Sequence, residues 1–345
     1  MRVVHFVVPA TIDSPAAPSG GNRYDRRVID ELPACGWEVR ELHDLAALGA
    51  VPDGAVVLVD GLLGCPAPSV MAAHAGRLRL VILVHLPLAD ETGLPAEEAA
   101  ALDALERDSL HAVSSVVATS SWTAARLIAH HDLPASKVHV AVPGVDPAPL
   151  AAPAEDGSRL LCVAAVTPRK GHDLLLSALA SLDDLEWSCV CVGALDRAPS
   201  FVASLPSVPG VHFAGPLTGP ALADRFAAAD LLVLPSRAEP YGMVVTEALA
   251  RGVPVLATAV DGLPEALGRT SAGDVPGLLV PCDDPLVDSS FSAGKLATEL
   301  ATALRRWLTQ PSLRDQLRAA ARVRRSELPD WSTTARALAG VLESV

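Results

Sequence analysis

Residues 231–257 read L-L-V-L-P-S-R-A-E-P-Y-G-M-V-V-T-E-A-L-A-R-G-V-P-V-L-A. Two apolar runs, 231–234 and 253–257, flank a stretch with helical character. A run that is apolar at every position is a strand covered on both faces. Two such strands joined by a helix make one unit of a parallel sheet. Between the first strand and the helix lies a turn carrying Glu239, and Gly242 opens the helix. The first amides of a helix have no partner inside it, so Gly242, Met243 and Val244 form a cradle suited to phosphate. Glu247 follows one to two turns into the helix, where its carboxylate can accept hydrogen bonds from sugar hydroxyls. Phosphate held between two hydroxyl-reading carboxylates suits a nucleotide sugar. Acidic residues also collect at helix starts because they oppose the helix dipole, so the pair alone does not decide the function.

The same alternation runs through the chain. Apolar runs at 3–8, 55–59, 80–84, 116–118 and 138–142 fill the first half, and 160–166, 188–192, 211–213 and 277–280 join those above in the second. Helical pattern separates most of them, at 24–32, 97–111, 122–130, 172–182, 221–228 and 244–250. The predicted fold class is α/β, with two Rossmann-like doubly wound domains facing a central cleft. The Pro/Ala-rich stretch 146–157 marks the break, giving domains at 1–150 and 151–330. Beyond residue 290 the pattern is helical throughout, at 293–309, 312–327 and 332–344.

Composition narrows the function. The chain has 345 residues, 50% apolar and 19% charged, enough for two cores and against widespread disorder. Its formal charge is −13, with 10 Lys/Arg against 18 Asp/Glu in residues 1–150 and 17 against 22 in the remainder. Neither half is basic, which argues against nucleic acid as a partner. It also leaves an electrostatic membrane anchor no obvious seat. No apolar stretch is long enough to span a bilayer, and M-R-V-V-H-F-V-V-P-A reads as a first buried strand, not as a signal peptide. Six cysteines without a C-x-x-C pair read as buried thiols, with Cys189 and Cys191 on one strand face. The expectation is a cytoplasmic protein; peripheral membrane contact is left open.

Further residues carry possible chemistry. Arg169 and Lys170 in R-K-G-H follow strand 160–166 and stand before a helix, where adjacent cations oppose the dipole unless an anion sits with them. Gly20 and Gly21, after a Pro-rich loop, let backbone approach a ligand and open a helix. They do not form the dinucleotide-binding glycine pattern, which disfavours a dehydrogenase. Arg23, Arg26 and Arg27 alternate with Asp25 and Asp30, which reads as a solvated helix face. His85 ends strand 80–84, at the edge where ligands of parallel sheets bind. Asp261, Gly262 and Glu265 follow strand 253–257; a turn with a helix cap explains Asp261 equally well. The histidines show no metal-ligand spacing.

Taken together, these pieces resemble the retaining glycosyltransferases of family 4. The segment 231–265 is similar to the family's donor-site motif, and Gly20-Gly21, His85, P-G-V-D at 143–146, R-K-G-H at 169–172 and the helix from Trp331 arrive in the family's order. The resemblance implies the two-domain GT-B fold, with the C-terminal helices crossing back and the segment from Trp331 packing on the first domain. It implies catalytic roles for Glu239, His85 and Lys170, with Glu239 orienting the sugar ring and His85 touching it. Donor-binding roles fall to Gly20, Gly21, Arg169, Lys170, Tyr241, Gly242, Met243, Val244 and Glu247, and backbone at 214–217 would lie beside the nucleobase. No metal and no other cofactor is expected, since protein cations and amides carry the diphosphate charge. The partners implied are a nucleotide-sugar donor and a hydroxyl-bearing, soluble acceptor. One departure stands out: the family's Gly-Arg pair is replaced by Ala164-Ala165, so a phosphate-binding cation is missing there and Arg169 is the candidate replacement. A nucleotide-sugar epimerase or hydrolase of the same fold, or a non-catalytic nucleotide-sugar-binding protein, remain alternatives.

Overall fold

In the computed structural model, residues 2–14, 19–91, 93–282 and 290–345 are described. The part of the Pro-rich loop at 15–18 lies outside them. The chain divides into two compact units, Met1–Gly144 with Pro329–Val345, and Val145–Leu328. Among the described residues no helix is long and apolar enough to cross a membrane.

The first unit holds β1 (Arg2–Val7), β2 (Trp37–Leu42), β3 (Val56–Asp60), β4 (Arg79–Val84), β5 (Ser115–Ala118) and β6 (Val138–Val140). They form one parallel sheet in the order β2-β1-β3-β4-β5-β6. The strand missing from the sequence reading is β2. It is an edge strand, W-E-V-R-E-L, largely open to solvent beyond Trp37, so it lacks the apolar run that marks its neighbours. β3 and β5, by contrast, are buried at every residue.

The second unit holds β7 (Arg159–Val163), β8 (Ser188–Val192), β9 (Val211–Gly215), β10 (Leu231–Leu234), β11 (Val255–Thr258) and β12 (Gly277–Val280). Their order is β12-β11-β10-β7-β8-β9. Counted within the unit this is 6-5-4-1-2-3, the dinucleotide-fold order, whose connections reverse direction between β7 and β10. Strands and helices close over a core that includes Leu175, Leu179, Leu231, Val233 and Leu300.

The stretch 146–157 is packed chain, not a spacer. Its amides at Ala151, Ala152 and Ala154 donate to Arg251 O, Ala227 O and Asp230 Oδ1, and Val145 and Ala148 are buried with Ala250. Asp230, at 1% exposure, also takes the Arg159 amide and guanidinium (2.8–3.2 Å). Asp230→Ala strands those donors, and a loss of about 3 kcal/mol in urea unfolding is expected.

Of the three terminal helices, Ser290–Thr309 and Pro311–Arg325 belong to the second unit. Only Trp331–Ser344 returns to the first. Trp331 is 2% exposed and packs edge-on against Tyr24. Gly144 makes that seat possible, since a Cβ there would lie 2.4 Å from Trp331 N.

Candidate functional site

The turn after β7 and the turn after β10 meet. Gly171 takes φ +66°, and a Cβ on it would lie 1.9 Å from Pro235 O, so only glycine permits this approach. Arg237 clasps the two turns. Its guanidinium donates to both oxygens of Asp173 (2.8 and 2.7 Å) and to Pro168 O (2.8 Å), while its amide donates to Arg169 O (2.7 Å). A bidentate Arg–carboxylate contact fixes orientation as well as distance.

This clasp delivers Lys170 to Glu239. The ammonium is ion-paired with Glu239 Oε2, and both side chains are nearly buried, at 14% and 11% exposure. Arg169 sits alongside, its Nη1 donating to Ala238 O (3.3 Å). The Glu239 turn is braced from the next strand, because its N–H donates to Asp261 Oδ2 (2.7 Å) and Gly262 N–H donates to Glu239 O (3.0 Å). Asp261 adopts φ +46°, a left-handed conformation that a non-glycine residue takes at a cost of order 1 kcal/mol. Gly242, at φ +89°, then starts the helix Met243–Leu249 with no side-chain cap. A Cβ on Gly242 would stand 3.3 Å from Glu239 Cγ. The ammonium of residue 170 and the helix-opening glycine therefore flank one carboxylate. Tyr241 is buried, and burial followed by the Glu265 charge pushes its phenol well above the usual range. Met243, Val244 and Glu247 are half-buried on the helix beyond.

Gly20, Gly21 and His85 lie in the first unit. Ser19 caps the helix Gly20–Glu31 by accepting the Asn22 amide (3.0 Å). Gly21 lies against the His85 ring, where an added Cβ would be 3.1 Å from Cδ2. His85 Nε2 is 2.9 Å from Asp25 Oδ1, and Asp25 is fully buried. This corrects the sequence reading of 23–30 as a solvated face. Arg26 does reach outward, to Asp13 and Glu41, but Asp25 turns into the unit. The spacing 21, 24, 25 places one helix stripe against His85, and the charges on either side of Asp25 masked it.

The sequence reading also missed Arg237 as an organiser of the turns. Its signal was available: an arginine two residues before Glu239, with an acid three residues after Lys170. Among the cysteines, Cys162 and Cys191 face each other across β7 and β8, and His172 Nε2 is 3.7 Å from Cys162 Sγ. The three ligand atoms lie within 4.8 Å of one another. Metal-bound imidazoles nearly always bond through their second nitrogen, and His172 Nδ1 is buried with no such partner among the described residues. Burial also lowers the His172 pKa, which holds the imidazole neutral in the packed core.

Comparison with known proteins bears on the whole chain. A family model described as "Glycosyltransferase Family 4" matches residues 59–149, and one described as "Glycosyl transferases group 1" matches 157–308. A D-inositol 3-phosphate glycosyltransferase of Frankia alni is 34% identical over 265 residues, covering 69% of this chain and 60% of that protein. A second, from Catenulispora acidiphila, is 35% identical over 244 residues, covering 63% and 56%. The chain thus spans three-fifths or less of the length of these relatives. Among solved structures, a sucrose-phosphate synthase from Thermosynechococcus elongatus superposes with a TM-score of 0.79 at 21% identity, covering 100% and 99% of the two chains. Anabaena Alr3699/HepE, solved with UDP-glucose, gives 0.73 at 17% identity over 100% of both. These structures share the two-domain α/β fold, and the family matches in both units place this chain among the glycosyltransferases of family 4.

Proposed function

We propose that this protein transfers a sugar from a nucleoside-diphosphate sugar to an acceptor hydroxyl, with retention at the anomeric carbon and without a metal. The observation that carries this reading is the convergence of Lys170, Glu239 and the Gly242 turn at the switch point between β7 and β10. Crevices at that point of a doubly wound sheet are where such folds bind nucleotides. An arriving diphosphate would compete with Glu239 for the Lys170 ammonium. Lys170, Arg169 and the 242–244 amides would then stabilise the charge growing on the departing diphosphate. Glu239, released from the ion pair, would orient the sugar hydroxyls, and Glu247 would hold the ribose. His85 and Gly21 are assigned to the sugar's reacting side on the family resemblance.

The test begins with thermal shifts against uridine, guanosine and adenosine diphosphates. A ligand at a hundred times its dissociation constant stabilises by roughly 2.7 kcal/mol, readily seen as a rise in Tm. The matching sugar nucleotide is then offered to an acceptor panel headed by inositol phosphates, because the relatives above carry that acceptor in their names. Released nucleotide that depends on acceptor, with an α-linked product from an α-linked donor, supports the proposal. A new sugar nucleotide formed with donor alone identifies an epimerase instead. Donor binding with no release under any acceptor identifies a binding protein.

A further inference from the structure

In the first unit the connections reverse direction between β1 and β3, and three side chains gather at the C-terminal ends of the parallel strands. Asp60 ends β3, His85 follows β4, and Asp25 comes from the helix after β1. Their oxygen and nitrogen atoms lie within 4.8 Å of one another. None of the roles assigned above uses either carboxylate.

The His85 ring is held on several sides. Asp25 takes Nε2 at 2.9 Å, and Tyr24 meets the ring edge-on with centroids 5.1 Å apart. Gly21 leaves room for the backbone to lie against Cδ2. Tyr24 is itself fixed, its hydroxyl donating to Ala141 O (2.9 Å) and its ring packed on Trp331. Three residues of one helix stripe therefore set the ring's place and tilt. A fully buried carboxylate is costly without a counter-charge, and His85 is the basic group bonded to Asp25.

We propose that Asp25 is a positioning residue for His85: it holds the ring by Nε2 and sets a negative charge behind it, so that His85 meets its ligand through Nδ1 as a hydrogen-bond donor. This rests on the reading of His85 as a donor-sugar contact. A ring so held has only Nδ1 left for a ligand, because Nε2 is committed to Asp25, and Nδ1 donates as long as the ring is protonated. Among the described residues, the charged groups facing the ring are Asp25 and Asp60. Burial alone would lower the His85 pKa; Asp25, with help from Asp60, overcomes it and raises it to about 8. Asp25 is raised to about 7 by burial, His85 pulling it down and Asp60 pushing it further up.

The experiment follows His85 by NMR in histidine-labelled protein, its resonance assigned with His85→Gln, in the wild type, Asp25→Asn and Asp60→Asn. The expected wild-type titration is near 8. Asp25→Asn is expected to lower it by roughly one unit or more, and Asp60→Asn by less in the same direction. In transfer assays Asp25→Asn should cut kcat roughly 10- to 100-fold with donor KM nearly unchanged, and move the alkaline limb of the pH profile to lower pH. An unmoved His85 titration in Asp25→Asn overturns the proposal, as does wild-type kcat with an unchanged pH profile. If Asp25→Asn does not fold, the wild-type titration decides instead: a His85 that titrates at or below the ordinary value of about 6.5 has no carboxylate charge behind it and overturns the proposal. A shifted titration in a protein that transfers no sugar upholds the Asp25–His85 coupling and defeats the glycosyltransferase reading, so the two failures are separable.

Discussion

Lys170→Ala is expected to cut sugar transfer by roughly 10²- to 10³-fold, the usual cost of removing one preorganised charge-stabilising group. The same change leaves Glu239 at 11% side-chain exposure without its cation, with Ser236 Oγ at 3.5 Å as a weak neighbour. Breaking a mostly buried pair in this way should lower stability by about 1–3 kcal/mol. The two effects can be told apart with a second change. In Lys170→Ala/Glu239→Gln the uncompensated charge is gone, so stability in urea returns toward the wild type while transfer stays lost. Recovery of transfer in the double variant, or near-native turnover in the single one, would mean that the pair only props the turns.

Gly171→Ala tests whether the meeting of the two turns is what builds the site. The added methyl faces a backbone carbonyl, Pro235 O, at 1.9 Å, and the residue would also have to hold φ +66°. Backbone atoms of a strand end do not swing aside as a flexible side chain does. The expected cost is about 3 kcal/mol or more in stability, with the Arg237–Asp173 clasp pulled apart and transfer lost beyond what unfolding explains. Gly54→Ala serves as the control. It too has positive φ, +78°, but nothing stands within 4 Å of its added methyl, so only the conformational cost of about 1 kcal/mol should appear. Equal losses in the two variants would show that the apposition contributes nothing.

Much of the fold was legible because buried parallel strands write themselves as apolar runs. Eleven runs marked strands that the sheets contain, and β2 escaped because an edge strand alternates with charged residues. The meeting of two loops was legible too: R-K-G-H and E-P-Y-G each follow such a run, and neighbouring strands at a switch point bring their loops together. The pairings within the loops were not legible. That Lys170 would face Glu239, and Arg237 face Asp173, depends on how two turns 60 residues or more apart are clasped, which no local pattern encodes. Asp25 was hidden for a different reason. Flanking arginines gave its helix a solvated look, whereas burial follows the stripe of Tyr24, Asp25, Val28 and Ile29 rather than the average charge. The boundary between units was misplaced by a few residues because alanine and proline pack well against a unit they seem only to lead into.

The central claim is that the turns after β7 and β10 bind the diphosphate of a sugar nucleotide. Calorimetry of nucleoside diphosphates with the wild type and Lys170→Ala measures this without needing the acceptor. At least one nucleoside diphosphate should bind the wild type, with affinity weakened about tenfold or more in Lys170→Ala, as loss of a charge-assisted contact requires. Equal affinity in both proteins, or no binding of any nucleoside diphosphate to the folded wild type, would contradict it.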